Sequence, residues 1–386
     1  MLAVAAGLGI LAGAIAAAAI QDSSRAPRVA PERRVKEVPV PEPDEHVLLV
    51  WTSGGMPADF GDRVGGVPGV ARVTAARGDL VNLTASFAAD GRTVDSPAPG
   101  FSIPIDALAF DLHSYAPFFD GAAQAQLRAL PPGQALLGAT SAALRRLGPG
   151  GVIQLEHGAQ VTVAGVVDDE VVGAAEFVVD MTTAPAVGIQ TARFLLVAYN
   201  GDRPELERSI AALVPDAAVR FRGRGETPYL RHGDAVLPQA LIKARFGEFA
   251  YRPASGRDVL EDPGWPPENI VTEVVPILGR ITCHRAVLPA IEGAMRELEE
   301  RNLAALVDPS GYRGCWVPSL ITPGGGVSRH SWGVAFDLNF SNNPTGLASV
   351  VDPRLIEVMD RWGFISGANY LVPDPGHFEY LRPPRT

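Results

Sequence analysis

The chain carries two segments near its C-terminus in which histidine and acidic residues are interleaved with apolar ones: Ser328-Arg329-His330-Ser331-Trp332-Gly333-Val334-Ala335-Phe336-Asp337 and Asp374-Pro375-Gly376-His377-Phe378-Glu379-Tyr380. From Gly333 to Phe340, and again from His377 to Leu381, polar and apolar residues alternate with the period of a β-strand. If the two strands are neighbours, Asp337 and His377 share the polar face of one sheet. His330 then reaches that face from the turn that precedes the first strand, and rigid backbone holds all three side chains in place.

The residue types on that face indicate a metal site. Two histidines and a carboxylate are the usual protein ligands of a catalytic zinc ion, which keeps a fourth position for water. Asp374 precedes His377 by three residues, where it is placed to accept a proton from that water. We therefore predict Zn²⁺ ligands at His330, Asp337 and His377, a general base at Asp374, and the activity of a zinc peptidase.

Plainer structural roles remain open for these residues. A single histidine–aspartate pair also fits a surface histidine and a capping aspartate, and Asp374, between two prolines, also fits a turn that bonds its own backbone. Glu379 has the strand parity of His377, so it either orients a ligand or is an ordinary strand glutamate. Ser328 either caps the turn or supports His330.

The combined pattern Ser-x-His-x2-Gly-x-Ala-x-Asp and Asp-x-x-His-Phe-Glu resembles the zinc D-alanyl-D-alanine carboxypeptidases and L-alanyl-D-glutamate endopeptidases. These are the VanY-like enzymes and phage endolysins of the Hedgehog/DD-peptidase fold, and the resemblance runs from about Phe246 to the C-terminus. It implies the same three ligands, the same base, and an arginine, Arg313 of Gly311-Tyr312-Arg313, that contacts the substrate and the developing oxyanion. Gly314-Cys315-Trp316 follows where relatives often continue with polar residues, and Arg313 fits a surface ion pair equally well.

Length and charge set the frame for the rest of the chain. The 386 residues exceed one typical domain, so two globular units with appendages are expected. Hydrophobic residues make up 47% and charged residues 20%, as in ordinary folded proteins. The net charge of −10 argues against a nucleic-acid partner. We predict an α+β protein.

The chain begins with a charge-free stretch, residues 1–20, that is long enough to span a bilayer. It fits either a cleaved signal peptide or a retained anchor, although the basic residues that follow favour the opposite orientation. Residues 21–45 are rich in proline and charge and are predicted to be an extended linker. We predict an exported protein, at the outer face of the cytoplasmic membrane or in the cell wall.

The middle part, residues 46–245, combines valine-rich strands with glycine turns and short helices. Two helix–turn–strand units, at 59–73 and 204–221, predict a split βαβ, ferredoxin-like arrangement with a β-rich insertion. The stretch from Ala143 to Asp169 resembles the MacB-like periplasmic core domain of ABC transporter permeases. The resemblance implies an extracytoplasmic interaction module without chemistry of its own. We take the isolated histidines of this part as structural: His113, His157 and His232.

The last part, residues 246–386, is the predicted peptidase domain with an antiparallel sheet. It opens with a proline-rich loop, 252–269, followed by an amphipathic helix at 286–302 and a second short helix at 352–361. Cys283 and Cys315 flank the first helix, and two cysteines in an exported protein predict one disulfide, with free thiols as the alternative.

Two functional classes remain on the sequence alone. One is an active peptidase whose substrate is the peptidoglycan stem peptide, acting as a carboxypeptidase or an endopeptidase. The other is a non-catalytic adaptor that binds wall peptide or an envelope transport complex, with the middle part as a possible contact to a membrane or envelope protein. A retained Asp374 favours the enzyme, because an adaptor has no physical need for a general base.

Overall fold

The computed structural model describes residues 46–227, 229–235, 237–322 and 325–385. The predicted hydrophobic helix at 1–20 and the predicted linker at 21–45 lie outside this range. Within the described residues, no helix has the length and apolar composition that crossing a membrane requires.

The middle part is mixed α/β with a β-rich core. Its strands are β1 (His46–Thr52), β2 (Val70–Phe87), β3 (Thr93–Asp95), β4 (Ile103–Phe110), β5 (Gln134–Gly138), β6 (Val152–Leu155), β7 (Gln160–Val167), β8 (Phe177–Asp180), β9 (Ala192–Tyr199) and β10 (Val219–Gly223). Its helices are α1 (Phe60–Gly65), α2 (Leu112–Tyr115), α3 (Gly121–Ala129), α4 (Ala139–Arg145) and α5 (Arg203–Ala211).

Four of these strands form an antiparallel sheet in the order β10-β1-β9-β2. With α1 after β1 and α5 after β9, this is the strand order of a split βαβ unit. The helices bury Phe60, Val64, Leu206 and Ile210 against one face of the sheet. The alternation of buried and exposed residues along the helices explains why the sequence predicted both units.

The insertion between β2 and β9 closes into a barrel. Strand β2 is 18 residues long, and beyond the sheet it pairs with both β4 and β6. The circuit β2-β4-β8-β5-β7-β6 returns to β2, so this ring of strands has no open side. Apolar side chains of all six strands, Leu137 and Phe177 among them, fill its interior.

The last part has its own core and three small sheets. Helix α6 (Gln239–Phe246) leads into it from the middle part, and the helices that follow are α7 (Trp265–Asn269), α8 (Leu288–Glu300) and α9 (Pro353–Arg361). Its strands are β11 (Tyr251–Pro253), β12 (Val259–Glu261), β13 (Ile270–Val275), β14 (Gly279–His284), β15 (Ala335–Asp337), β16 (Phe364–Gly367) and β17 (Asp374–Tyr380). Helices α8 and α9 pack over the sheet β15-β17-β16, and the buried residues include Met295, Trp332, Phe336 and Phe378.

Two local expectations were wrong. The strand predicted from Gly333 to Phe340 covers only Ala335–Asp337, because Gly333 and Asn339 take left-handed φ values of 64° and 53° and turn the backbone at both ends. The predicted loop 252–269 contains the hairpin β11-β12 and the helix α7.

Helix α6 joins the two parts through a buried ionic cluster. Its apolar residues pack in the C-terminal core, while Lys243 and Gln239 bond Glu176 of the middle part. Lys243 Nζ lies 2.7 Å and Arg145 Nη2 lies 3.0 Å from the carboxylate of Glu176, and all three side chains are fully buried. Glu248 accepts from the same Arg145. Such a cluster tolerates little displacement, because each buried charge depends on its partners.

Candidate metal centre

The structure brings His330, Asp337 and His377 together. Asp337 of β15 and His377 of β17 are directly opposite each other in the antiparallel register. His330 lies on a 3-10 helix, Arg329–Trp332, that leads into β15. The side chain of Ser328 caps this helix by accepting the backbone N–H of His330 at 3.3 Å, which is the capping role.

The three facing atoms are spaced as a tetrahedral metal requires. His330 Nε2 lies 3.3 Å from His377 Nδ1 and 3.5 Å from Asp337 Oδ1, and the last two atoms are 3.1 Å apart. Ligands at about 2.0–2.1 Å from one zinc ion, at tetrahedral angles, lie about 3.3–3.4 Å from each other. The residues therefore fit a three-ligand metal site.

Polar groups behind the two histidines fix which nitrogen faces the centre. His330 Nδ1 lies 2.9 Å from the carbonyl oxygen of Gly314, which only accepts, so Nδ1 carries the proton and Nε2 presents its lone pair. His377 is turned the other way: Nδ1 faces the centre, and Nε2 is 3.8 Å from Glu379 Oε2. Partners of this kind orient metal-binding imidazoles.

Asp337 and His377 stabilise each other's charged forms. Burial disfavours the ionised carboxylate of Asp337, but contacts with His330 and His377 outweigh burial and hold its pKa well below the usual range. Burial alone would lower the pKa of His377, but the carboxylates of Asp337 and Glu379 raise it to about 10.

Glu379 is buried, with 1% of its surface exposed. Burial favours the neutral acid, but His377 and Arg329 lower the pKa of Glu379 to about 2. It is therefore a carboxylate at neutral pH, which suits an acceptor for the imidazole N–H of His377.

Asp374 is the first residue of β17, three residues before His377. Its Oδ1 accepts a hydrogen bond from Thr345 Oγ1 at 2.8 Å. A Cβ on Gly367 would lie 2.5 Å from the backbone oxygen of Asp374 and 3.3 Å from the Cβ atoms of Asp374 and His377, so β16 approaches both residues closely at this position. A glycine at 367 leaves the room that both need.

Arg313 reaches this region mainly through its backbone. Arg313 and Asp337 exchange N–H···O=C bonds of 3.0 and 3.1 Å. The exposed guanidinium stacks over the ring of Phe340 at 5.1 Å. Close by, a disulfide joins Cys315 to Cys283 of β14. Arg313 is thus adjacent to a predicted ligand, at the surface.

Sequence reasoning missed several residues of this region. Thr345 and Tyr370 contact the predicted residues from loops, and Gly367 does so from the end of β16; none of the three belongs to a motif. The three histidines that were predicted to be structural, His113, His157 and His232, all lie in the middle part. His232 packs against Trp51 and Phe194, and burial lowers its pKa to about 3, as expected for a neutral core histidine.

The comparisons with known proteins agree with the class of site that this geometry defines. The family model described as D-alanyl-D-alanine carboxypeptidase matches residues 322–380, the stretch that holds all three facing residues and Asp374. The C-terminal part of the chain thus matches a peptidase family, as its motifs predicted. None of the curated proteins matches the chain.

Two solved structures resemble the middle part. One is the periplasmic region of MacB from Actinobacillus actinomycetemcomitans, with a TM-score of 0.31 and 10% identity over 45% of this chain and 87% of that one. The other is the extracellular domain of the noncanonic ABC-type transporter YknZ from Gram-positive bacteria, with a TM-score of 0.30 and 12% identity over 46% of this chain and 99% of that one.

Proposed function

We propose that the protein is a zinc-dependent peptidase that hydrolyses peptidoglycan stem peptides, as a D-Ala-D-Ala carboxypeptidase or an L-Ala-D-Glu endopeptidase. One observation carries the proposal: three side-chain atoms of His330, Asp337 and His377 sit 3.1–3.5 Å apart, at the spacing of tetrahedral zinc ligands. The match of residues 322–380 to a carboxypeptidase family model supports the substrate class.

The residues around this centre have distinct tasks in the proposed reaction. Zinc, when bound, lowers the pKa of a water molecule toward neutrality and polarises the scissile carbonyl. Asp374 accepts the proton of the attacking water and returns it to the leaving amine. Arg313 offsets the charge that develops on the carbonyl oxygen, a contribution of about 3 kcal/mol for one such donor. Glu379 and Ser328 hold the histidines in the orientation that binding requires.

The remaining parts of the proposal concern the chain as a whole. We place the peptidase domain at 246–386 and an extracytoplasmic domain with possible envelope partners at 46–245. Residues 1–20 serve as an anchor or signal peptide and 21–45 as a linker. The protein then acts at the outer face of the membrane or in the wall.

The test is hydrolysis of defined peptidoglycan fragments by the full chain. Zinc-loaded protein is expected to release D-alanine or to split the stem, and chelator is expected to stop the reaction. Asp374→Asn is expected to keep its zinc but to lose about 10²–10⁴-fold in kcat. Asp352→Asn is the matched control, because Asp352 caps α9 and asparagine caps a helix equally well.

The outcomes separate the two functional classes. Loss of hydrolysis with chelator and in Asp374→Asn, but not in Asp352→Asn, supports the enzyme. Zinc-loaded wild type that binds stem peptide without cleaving it would instead support the non-catalytic adaptor.

A further inference from the structure

We propose that Asp234 and Tyr370 are positioning residues, which connect the edge strand β10 of the middle part to His377. The inference rests on the proposed function of the metal centre and deepens it. It assigns the middle part a task in the peptidase itself, namely to hold the support of a metal ligand in place.

The first half of the connection is a contact between β10 and the residues that precede β17. Arg220 and Arg222 of β10 lie 3.4 and 3.6 Å from Asp234 Oδ1. The other carboxylate oxygen of Asp234 accepts the backbone N–H of Leu371 at 2.6 Å. Arg220 also donates to the carbonyl oxygen of Asn369 at 2.5 Å. Charged groups of the middle part thus hold the backbone on both sides of Tyr370.

The second half leads from Tyr370 to the metal ligand. The Tyr370 hydroxyl donates to Glu379 Oε2 at 3.1 Å, and this same oxygen is the one nearest to His377 Nε2, at 3.8 Å. The other oxygen, Oε1, lies 3.5 Å from the backbone nitrogen of Leu237 and 3.5 Å from Arg329 Nε. Arg329 in turn donates to the carbonyl oxygen of Leu237 at 2.7 Å.

These contacts link Asp234 and Leu237 to two different carboxylate-centred clusters. Asp234 is tied to β10, and Leu237 to Glu379. Asp234, Glu379, Arg220 and Arg222 have little solvent access, so each depends on its partners for compensation of its charge. Because a metal centre tolerates only about 0.5 Å of misplacement, a network that fixes Glu379 also fixes the imidazole in front of it.

The contacts of β10 with residues 369–371 also bear on Asp374, the proposed base. Asp374 follows Leu371 by three positions in the same segment. A shift of the backbone at 369–371 therefore moves the start of β17, which carries Asp374, as well as the hydroxyl that supports Glu379. Both the ligand and the proposed base depend on where β10 holds this segment.

The experiment measures zinc affinity and turnover separately. Tyr370→Phe removes the hydroxyl and keeps the ring, and Asp234→Asn removes the charge that pairs with Arg220 and Arg222. Zinc affinity is measured on the apo form of the full chain by competition with a chromophoric chelator. We expect each variant to bind zinc about 10-fold more weakly, the lower end of the range for groups behind a metal ligand.

A double variant tests whether the two residues act along one path. If they do, Asp234→Asn combined with Tyr370→Phe loses no more affinity than the larger single loss, because the second change breaks a connection that is already broken. Glu207→Gln is the matched control, since it removes an ion pair with Arg203 elsewhere in the middle part. It is expected to bind zinc like the wild type.

The results distinguish this inference from the proposed function. Wild-type zinc affinity in folded Tyr370→Phe and Asp234→Asn overturns the inference, even if hydrolysis is observed. Full additivity in the double variant overturns the single path. If Asp234→Asn does not fold, Tyr370→Phe alone decides. Zinc binding that responds to both variants in a protein without peptidase activity upholds the positioning role and contradicts the proposed function only.

Discussion

At the scale of single residues, His377 is held between two carboxylates, Asp337 on its Nδ1 side and Glu379 on its Nε2 side. These neighbours raise the pKa of His377, so the metal-free protein carries a proton that a cation must displace. The raised pKa stabilises the metal-free fold at low pH. This contribution is complete below the ordinary histidine pKa of about 6.5 and is lost as the pH rises through the raised value.

Zinc binding should therefore release about one proton per protein near pH 7, and its affinity should rise about tenfold per pH unit up to the raised pKa. Calorimetric titrations in buffers of different ionisation enthalpy measure the released proton. The control is the same titration above about pH 10, where the release should fall. A pH-independent affinity between about pH 6 and 9 would contradict this assignment.

Thr345 gives a second test at this scale. Its hydroxyl donates to Asp374 at 2.8 Å, so it fixes the orientation of the proposed base. Thr345→Val keeps the shape and removes the donor, and we expect kcat to fall about tenfold, the equivalent of one modest hydrogen bond, while KM and zinc content stay unchanged. Thr345→Ser retains the hydroxyl and should restore most of the rate. Equal rates for the valine and serine variants would show that the contact is incidental.

The motif residues were predictable because their chemistry is specific and their strand parity places them. Asp337 and His377 do face each other across β15 and β17. Thr345 and Tyr370 were not predictable, since hydroxyl residues in loops are common and only the folded backbone places their oxygens beside a carboxylate. Their contributions come from position rather than from residue type.

At the scale of elements, α8 and the end of α9 fit together through a glycine. A Cβ on Gly293 of α8 would lie 2.1 Å from the ring of Trp362, whose Nε1 donates to Glu297 Oε2 at 2.8 Å. The amphipathic pattern predicted helix α8 correctly within two residues at each end. It did not indicate that residue 293 has to be a glycine, because this requirement comes from the indole ring of Trp362, which packs against it.

Gly293→Ala should therefore lower the free energy of unfolding by about 1–3 kcal/mol, despite the better helix propensity of alanine. Gly65→Ala in α1 is the control, because a Cβ there meets open space. It should leave stability unchanged or raise it by up to about 1 kcal/mol. Chemical denaturation followed by circular dichroism measures both. Equal effects would mean that Trp362 moves aside without cost.

Strand positions were predicted best where alternation continued to both ends. The sequence of the insertion predicts strands at 152–155 and 160–167, and β6 (Val152–Leu155) and β7 (Gln160–Val167) have these bounds. Strand β15 is shorter than its alternation, since positive φ angles at Gly333 and Asn339 interrupt it. Backbone turns of this kind override side-chain periodicity.

At the scale of the whole molecule, the buried cluster around Glu176 unites the two parts. Glu176→Gln leaves Arg145 and Lys243 with less compensating charge in an environment without water. We expect a loss of roughly 3–5 kcal/mol in the free energy of unfolding, in a single transition that includes both parts. The control is Glu292→Gln at an exposed pair with Arg296, which should change stability by less than about 1 kcal/mol.

Two separate transitions in the wild type would contradict that expectation, because they would mean that the parts unfold independently. The cluster itself was beyond sequence reasoning. Arg145, Glu176 and Lys243 are far apart in the chain and resemble ordinary surface charges, and only the packing of α6 against the barrel brings them together.

Strand β2 has a consequence for any attempt to divide the molecule. This single strand of 18 residues belongs to both sheets: its first half completes the four-stranded sheet, and its second half is one strand of the barrel. A deletion that excises 88–191 would strip the partners from half of β2 and leave a bare ribbon of unsatisfied amides. The sheet and the barrel therefore cannot be separated without loss of strand pairing. A graft of either one onto another scaffold has to include the whole of β2.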